Sequence, residues 1–360
     1  MSQNVWAVLE AASDMVVSVP LLQPADIFVD LAGEEFRKRL FTTDDGGTTL
    51  CLRPDFTIPV CYEHLAAHHD SPKTYAYTGK IFRKRRLSGD PEFTQMGTEW
   101  IGHGDEMAVD AEVFALAMEC AAAAGMRAPT VRVGDAHVFD ALTAALGLSA
   151  SWRSRLGAAF GDAARMTGAL SRLGHRARSD GFAARLAPAL AKVDAVQARA
   201  IVEAVIGLPG APPPGGRTDE DIALRLLEQA SNGNSTRAAE VIERFLPLNA
   251  PLDRAADHLA AFATAEGLDL GAVIDDFQRR TDALTAIGVD TSALDFDASF
   301  GRRIGYYTGF VFEVIGVDGV NEAIAGGRYD KLIALLDPRT SLPGIGFSVW
   351  LDRLPPEVAP

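Results

Sequence analysis

Segments with strand character fall in two blocks at opposite ends of this chain, and a long alanine- and leucine-rich stretch of helical periodicity separates them. In the first block, LFTTDDGG runs as a strand into a turn and TTLCLRP leaves it, with Asp45-Gly46-Gly47 supplying the positive-φ residues that a hairpin needs. TYAYTGKIFRKR reads as a further strand, and EFTQMGTEWIG as its antiparallel mate. Helices bracket them: VWAVLEAASDMVV spaces its apolar residues helically, and AVDAEVFALAMECAAAAG is an alanine-rich helix closed by Gly125. The second block begins after Asp297, where FGRRIGYYTGFVFEVIG is dense in aromatic and β-branched residues. AIAGGRYDKLIALL reads as strand, glycine turn and helix, and SLPGIGFSVWLDRL as a strand entering a short helix. Between the blocks, 149–286 reads as a helical insertion, with an exposed loop at Pro212-Pro213-Pro214-Gly215-Gly216.

Charge and sulfur chemistry narrow the function. Thirty-four Lys and Arg against 48 Asp and Glu leave a formal net charge of −14, and such a chain repels a phosphate backbone. Nucleic acid is therefore not the expected partner. Cys51, Cys61 and Cys120 form no CxxC pair and have no histidine at metal spacing, so no metal is expected and buried, reduced thiols are. Glu10 and Asp14 interrupt the apolar run that a signal peptide requires, and no uncharged stretch reaches membrane-spanning length. The expectation is a soluble, cytoplasmic protein.

Several residues could carry chemistry. On a strand Gln95 and Glu99 share a face with Gly97 between them, so the missing side chain leaves a gap in which a small ligand could lie; equally, the two are solvated polar residues on an exposed face. In Arg53-Pro54-Asp55-Phe56-Thr57, Asp55 and Thr57 could accept hydrogen bonds from an ammonium group, or Asp55 could cap the helix that follows. Arg302 suits a carboxylate or phosphate; Tyr306 and Tyr307, adjacent on an expected strand, would face opposite ways, and core packing competes with a pocket role for them. Gly326-Gly327-Arg328 could admit a ligand to the backbone or form a tight turn. Lys80, Arg83, Lys84, Arg85 and Arg86 make one dense basic run, either a phosphate grip or a solvated turn. GxGxxG, Walker A, HExxH and nucleophile-elbow patterns are all missing, and no catalytic set emerges.

Together, LRPDFT, YTGKIFRKRR…EFTQMGTEWIG, GRRIGYYTGFVFE, AGGRYDKL and PGIGFSVWLDRL resemble, in order, the motifs of histidyl-tRNA synthetase and of its non-catalytic paralogue. The resemblance implies an α+β fold of the class II aminoacyl-tRNA synthetase type: an antiparallel sheet flanked by helices, built from 1–148 and 287–360 and usually dimeric, with 149–286 at the position of the family's insertion. It also implies a histidine pocket made of Asp55, Thr57, Arg83, Gln95, Glu99, Arg302, Tyr306 and Tyr307.

The departures from the synthetase pattern concentrate on the nucleotide side. Arg85 replaces the motif 2 glutamate, the loop Gly89-Asp90-Pro91-Glu92 is short, Trp350 replaces the small residue beneath the adenine, Asp352 replaces the motif 3 glutamate, and Gly305 replaces the signature aspartate. Losing several contacts that stabilise charge on the α-phosphate argues against adenylation. An anticodon-binding domain is not expected either. The paralogue with this profile is the regulatory subunit that pairs with a short-form ATP phosphoribosyltransferase. The resemblance therefore implies a non-catalytic subunit without cofactor, partnered by that transferase and by itself as a homodimer, with histidine as effector. The enzymatic alternative is a histidine-activating ligase that charges an acceptor other than tRNA.

Overall fold

The pair of strands that anchors the architecture is β5 (Lys73–Phe82) with β6 (Glu92–Ile101), ten residues each and antiparallel over their full length. A computed structural model describes residues 2–32, 34–67, 71–84, 90–176, 235–302 and 306–356. Around this hairpin a nine-stranded sheet forms from both end blocks and one short strand of the stretch between them. In chain order its other members are β1 (Met15–Val16), β7 (Val131–Asp135), β8 (Asn249–Pro251), β9 (Asp295–Asp297), β10 (Phe310–Ile315), β11 (Glu322–Arg328) and β12 (Gly344–Trp350). The spatial order is β1-β5-β6-β12-β11-β10-β7-β9-β8, antiparallel except at β1–β5 and β7–β9. A small sheet of β2 (Leu22–Pro24), β4 (Thr49–Leu52) and β3 (Thr42–Asp44) sits beside it, and its β3–β4 hairpin turns through Gly46 at φ 95°.

The large sheet divides the core in two. One face packs on the helix Glu106–Ala123, which Asp105 caps by accepting from the Ala108 amide and which ends ahead of Gly125 at φ 76°. Phe114 of that helix meets Phe310 and Phe312 of β10 edge-on, at 6.1 and 5.2 Å. The opposite face carries a separate apolar cluster that includes Phe28, Phe56, Tyr77, Tyr306, Tyr329 and Trp350.

A buried ionic lattice pins the helical layer to the sheet. Arg280, from the helix Gly271–Ala286, donates to Asp110 and to Asp135, both at 2.7 Å. The other oxygen of Asp110 accepts from Arg328 of β11, which also binds Asp330 at 2.9 Å. Every charge here has an opposite partner, the condition under which buried ions are tolerated.

In the described part of 149–286, Trp152, Leu156, Val241, Leu259 and Leu284 join the same apolar cluster as Val133 and Phe312, and β8 within it extends the large sheet. Two sequence expectations change. Gly326 and Gly327 are not a turn but the middle of β11, where a Cβ on Gly326 would stand 2.2 Å from the Gly346 carbonyl. Tyr306 and Tyr307 are not on a strand, which begins only at Phe310, so they need not face opposite ways. The Pro212–Gly216 loop, Arg85, Arg86, Gly89 and Gly305 lie outside the described residues.

Candidate functional site

Pairing register decides which side chains share the pocket face. Tyr77, Gly97 and Ser348 lie abreast on β5, β6 and β12; one row over are Tyr75, Glu99 and Gly346, and on the other side Gly79, Gln95 and Trp350. Gln95 and Glu99 therefore do share a face, but that face is buried, with the two residues 1% exposed each. The gap expected over Gly97 is already filled. A Cβ there would lie 2.4 Å from the Tyr77 hydroxyl, which bonds to the Phe347 carbonyl at 3.2 Å and to Ser348 Oγ at 2.9 Å. Gly346 has the complementary reason to lack a side chain, since the Glu99 carboxylate lies across it.

Glu99 is the hub. Thr57 Oγ1 donates to its Oε1 at 2.7 Å, Tyr329 OH to its Oε2 at 2.5 Å, and Tyr77 OH more weakly to Oε1 at 3.3 Å. Three hydroxyls favour the ionised acid, but full burial outweighs them and pushes its pKa up to about 8, with Asp55 adding to the rise.

Asp55 precedes the helix Thr57–Ala66, whose N-cap position is Phe56 with no side-chain cap, and from one residue further out it acts on the Ile58 amide of the first turn. Its carboxylate is 4% exposed, and neither oxygen has a partner at hydrogen-bond geometry. Burial lifts it to about 6, while Arg83 and the Ile58 amide pull the other way. Both amide atoms of Gln95 are likewise buried without a partner. Such orphaned groups are costly in a folded core unless a water, an ion or a ligand completes the bonding.

The basic run separates by direction. Lys80 points outward to Glu92 at 3.1 Å, and Lys84 lies against the Phe41 ring at 5.3 Å. Arg83 turns inward: its Nε donates to the Pro54 carbonyl at 2.6 Å, which ties the end of β5 to the turn that carries Asp55. Arg302 sits 5.9 Å from the Tyr307 ring and 5.8 Å from that of Trp350, while Arg353 flanks Trp350 at 5.1 Å. The indole is 2% exposed, and its N–H has no partner. Tyr306 and Tyr307 stack obliquely at 4.8 Å, and Tyr306 meets Tyr329 at 5.9 Å.

Asp55, Thr57, Arg83, Glu99, Arg302, Tyr306 and Tyr307 thus gather on one wall and floor, and Gln95 lies on the same sheet face beside Trp350. Tyr77 and Tyr329 were missed as members. Tyr329 stands in the quoted AGGRYDKL segment, and strand alternation would have placed Tyr77 with Gly79. Among the described residues no group of His, Cys, Asp and Glu could hold a metal, and no helix is long and apolar enough to cross a membrane.

The family pattern described as histidyl-tRNA synthetase matches residues 7–210 and 220–354. A protein of Brucella ovis named ATP phosphoribosyltransferase regulatory subunit is 42% identical over 353 residues, covering 96% of this chain and 94% of that one. A namesake in Brucella suis biovar 1 is also 42% identical, over 96% and 93%. Among solved structures, an ATP phosphoribosyltransferase regulatory subunit/histidyl-tRNA synthetase from Bacillus halodurans superposes with TM-score 0.64 at 21% identity, over 98% of this chain and 76% of that one. A histidine–tRNA ligase subunit from Alicyclobacillus acidocaldarius gives 0.60 at 23%, over 98% and 89%. The structural likenesses establish the class II synthetase fold, and the sequence likeness establishes the branch: the chain belongs to the family of ATP phosphoribosyltransferase regulatory subunits, proteins written in the pattern of histidyl-tRNA synthetase.

Proposed function

We propose that this chain is a non-catalytic, histidine-sensing subunit that a short-form ATP phosphoribosyltransferase needs for activity, and that histidine bound in the Asp55–Glu99 pocket inhibits the assembly. The observation that carries the reading is the pair of buried, unpartnered groups, Asp55 and Gln95, on a face whose neighbouring space is filled by Trp350. An α-ammonium group would satisfy Asp55, Glu99 and its hydroxyls would address the imidazole, and the arginines Arg83 and Arg302 would face the carboxylate. The indole leaves no room beside them for a base, which supports a pocket that binds an amino acid without activating it. Inhibition then requires that histidine bind two states of the assembly unequally.

The names of the Brucella relatives support the partner. Exposed Met15 and Val16 on the edge strand β1, with Leu21 and Leu22 beside them, support a homodimer of this chain. The acidic charge and the absence of a membrane-spanning helix among the described residues are in keeping with a cytoplasmic complex.

The test is reconstitution. Purified chain added to a short-form catalytic subunit should raise phosphoribosyl transfer to ATP, and histidine should suppress it. No stimulation would remove the subunit role. Intact histidine inhibition in Glu99→Ala and Tyr307→Phe would remove the pocket. Histidine-dependent exchange of pyrophosphate into ATP by the chain alone would restore the ligase alternative.

A further inference from the structure

The arginine half of the pocket contains a carboxylate of its own. Glu322, the first residue of β11, lies with its Oε2 3.0 Å from Arg353 Nη1 and its Oε1 3.9 Å from Arg302 Nη2. Arg353 Nη1 also donates to the Glu322 backbone carbonyl at 2.7 Å. Arg83 is near enough to act on the same carboxylate, and the three guanidiniums together hold it below its ordinary pKa against the effect of burial.

The backbone aims Glu322 there deliberately. The β10–β11 ladder shifts register at Val314–Ile315, a bulge, and Ala323 and Ile324 both join the far-face core while Glu322 turns to the pocket. Bulges characteristically re-aim side chains in this way.

Three guanidiniums in a mostly buried space repel one another unless an anion lies among them. Their planar forks suit the oxygens of phosphate and carboxylate groups alike. Arg302 still has an Nε without a partner, so the cluster retains donor capacity that one carboxylate does not use. Without an internal anion it would be a receptor for an external one.

We propose that Glu322 is a resident anion that occupies the Arg83–Arg302–Arg353 cluster and keeps di- and polyphosphate groups out of it. It is then a specificity residue of the pocket and not a surface ion pair. Trp350 closes the space a flat base would need, and Glu322 closes the space a phosphate would need; the two act on different parts of the same ligand. This inference does not depend on histidine binding.

The experiment is titration of the full chain with inorganic pyrophosphate in a calorimeter, at constant low salt. Wild type should bind weakly or not measurably, and Glu322→Gln should gain on the order of 10- to 100-fold, a gain that added salt erodes. The double variant E322Q/R353Q should lose the gain. Glu322→Asp, which keeps the charge but withdraws it by one methylene, should gain less and serves in its place if the glutamine variant does not fold. A folded E322Q without the gain overturns the proposal; so does wild type binding as tightly as the variant, or a gain that survives removal of Arg353. Histidine titrated into wild type alongside separates the two readings: its failure to bind would strike the histidine pocket and leave the pyrophosphate result standing.

Discussion

Glu99→Gln should make the free protein more stable at alkaline pH, although it removes the most heavily hydrogen-bonded carboxylate of the pocket. Glu99 is 1% exposed, accepts from Thr57, Tyr329 and Tyr77, and has no cation bonded to it. Its pKa rises from 4.5 in an ordinary setting to about 8 in the fold. The raised value fixes the sign. The folded protein holds a proton that the unfolded chain has lost, so the stabilisation is complete below about 4.5 and disappears as pH climbs through about 8. Within that window each pH unit removes roughly 1.4 kcal/mol.

Asp55 contributes in the same direction, but its share is exhausted near pH 6. Between about pH 6.5 and 8 Glu99 should therefore dominate the growth of the difference between the proteins, which amounts to about 2 kcal/mol, or about 2–3 °C in Tm for a chain of this size. Glutamine imitates the protonated acid, with one acceptor oxygen and one donor, and Thr57 or Tyr329 can rotate a hydroxyl to accept from it. Below about pH 4.5 the two proteins should then unfold within about 1 kcal/mol of each other, and by pH 6 the variant should lead by about 2 kcal/mol. Urea unfolding of wild type and variant at half-unit steps of pH measures the divergence, and comparing the pair cancels the titrating groups that do not interact with Glu99. Parallel curves from pH 6.5 to 8, or a wild type that gains on the variant as pH rises, would refute the assignment of a neutral Glu99.

Asp55→Asn removes an unpartnered buried carboxylate, so above pH 6 the free protein should be unchanged or stabilised by about 1 kcal/mol while histidine affinity falls roughly 10- to 100-fold; differential scanning and titration calorimetry read the two effects. Arg280→Met strands Asp135 and half of Asp110 in the core and should cost about 3–5 kcal/mol in chemical unfolding, with a loss under about 1 kcal/mol contradicting the lattice. Gly97→Ala forces a methyl group to within 2.2 Å of the Phe347 carbonyl and 2.4 Å of the Tyr77 hydroxyl, so β6 and β12 must separate, and a drop of about 1–3 kcal/mol or more is expected from the unfolding midpoint.

What could be read from the sequence was local. The β3–β4 and β5–β6 hairpins announce themselves through Asp45-Gly46-Gly47 and through alternating aromatic residues, because turn chemistry and strand period act within a few residues. Pairing between distant segments left no such mark. Nothing near Gln95 says that Trp350 will lie opposite it, yet that register brings the amide beside the indole. Gly326-Gly327 reads locally as a turn, and only the crowding of β10 and β12 on either side explains two glycines inside a strand. Tyr306 and Tyr307 read as strand because strand propensity measures packing on a sheet, and these rings pack on Tyr329 and each other ahead of it. The role of Glu322 was hidden for a related reason, since a bulge and not the strand period aims it.

On the function proposed above, the arrangement of charge at the site is what would separate an amino-acid receptor from a nucleotide site. The arginines here are engaged elsewhere than on Asp55 and Glu99. Arg83 spends its Nε on the Pro54 carbonyl and not on Asp55, and Arg302 and Arg353 are drawn to Glu322. Asp55 and Glu99 consequently meet their burial chiefly by rising pKa, Asp55 against the pull of Arg83, which leaves the Asp55 oxygens unpartnered on one side and the Arg302 Nε on the other. A polyphosphate would satisfy only the second half and would bring its charge toward the carboxylates; a simple amine would satisfy only the first. Under the function proposed above, a zwitterion would relieve both at once, and a nitrogen-bearing ring would add a partner for Glu99. The free energy released by that double neutralisation would then favour one state of an assembly over another, provided the two states hold the acidic and basic halves at different separations.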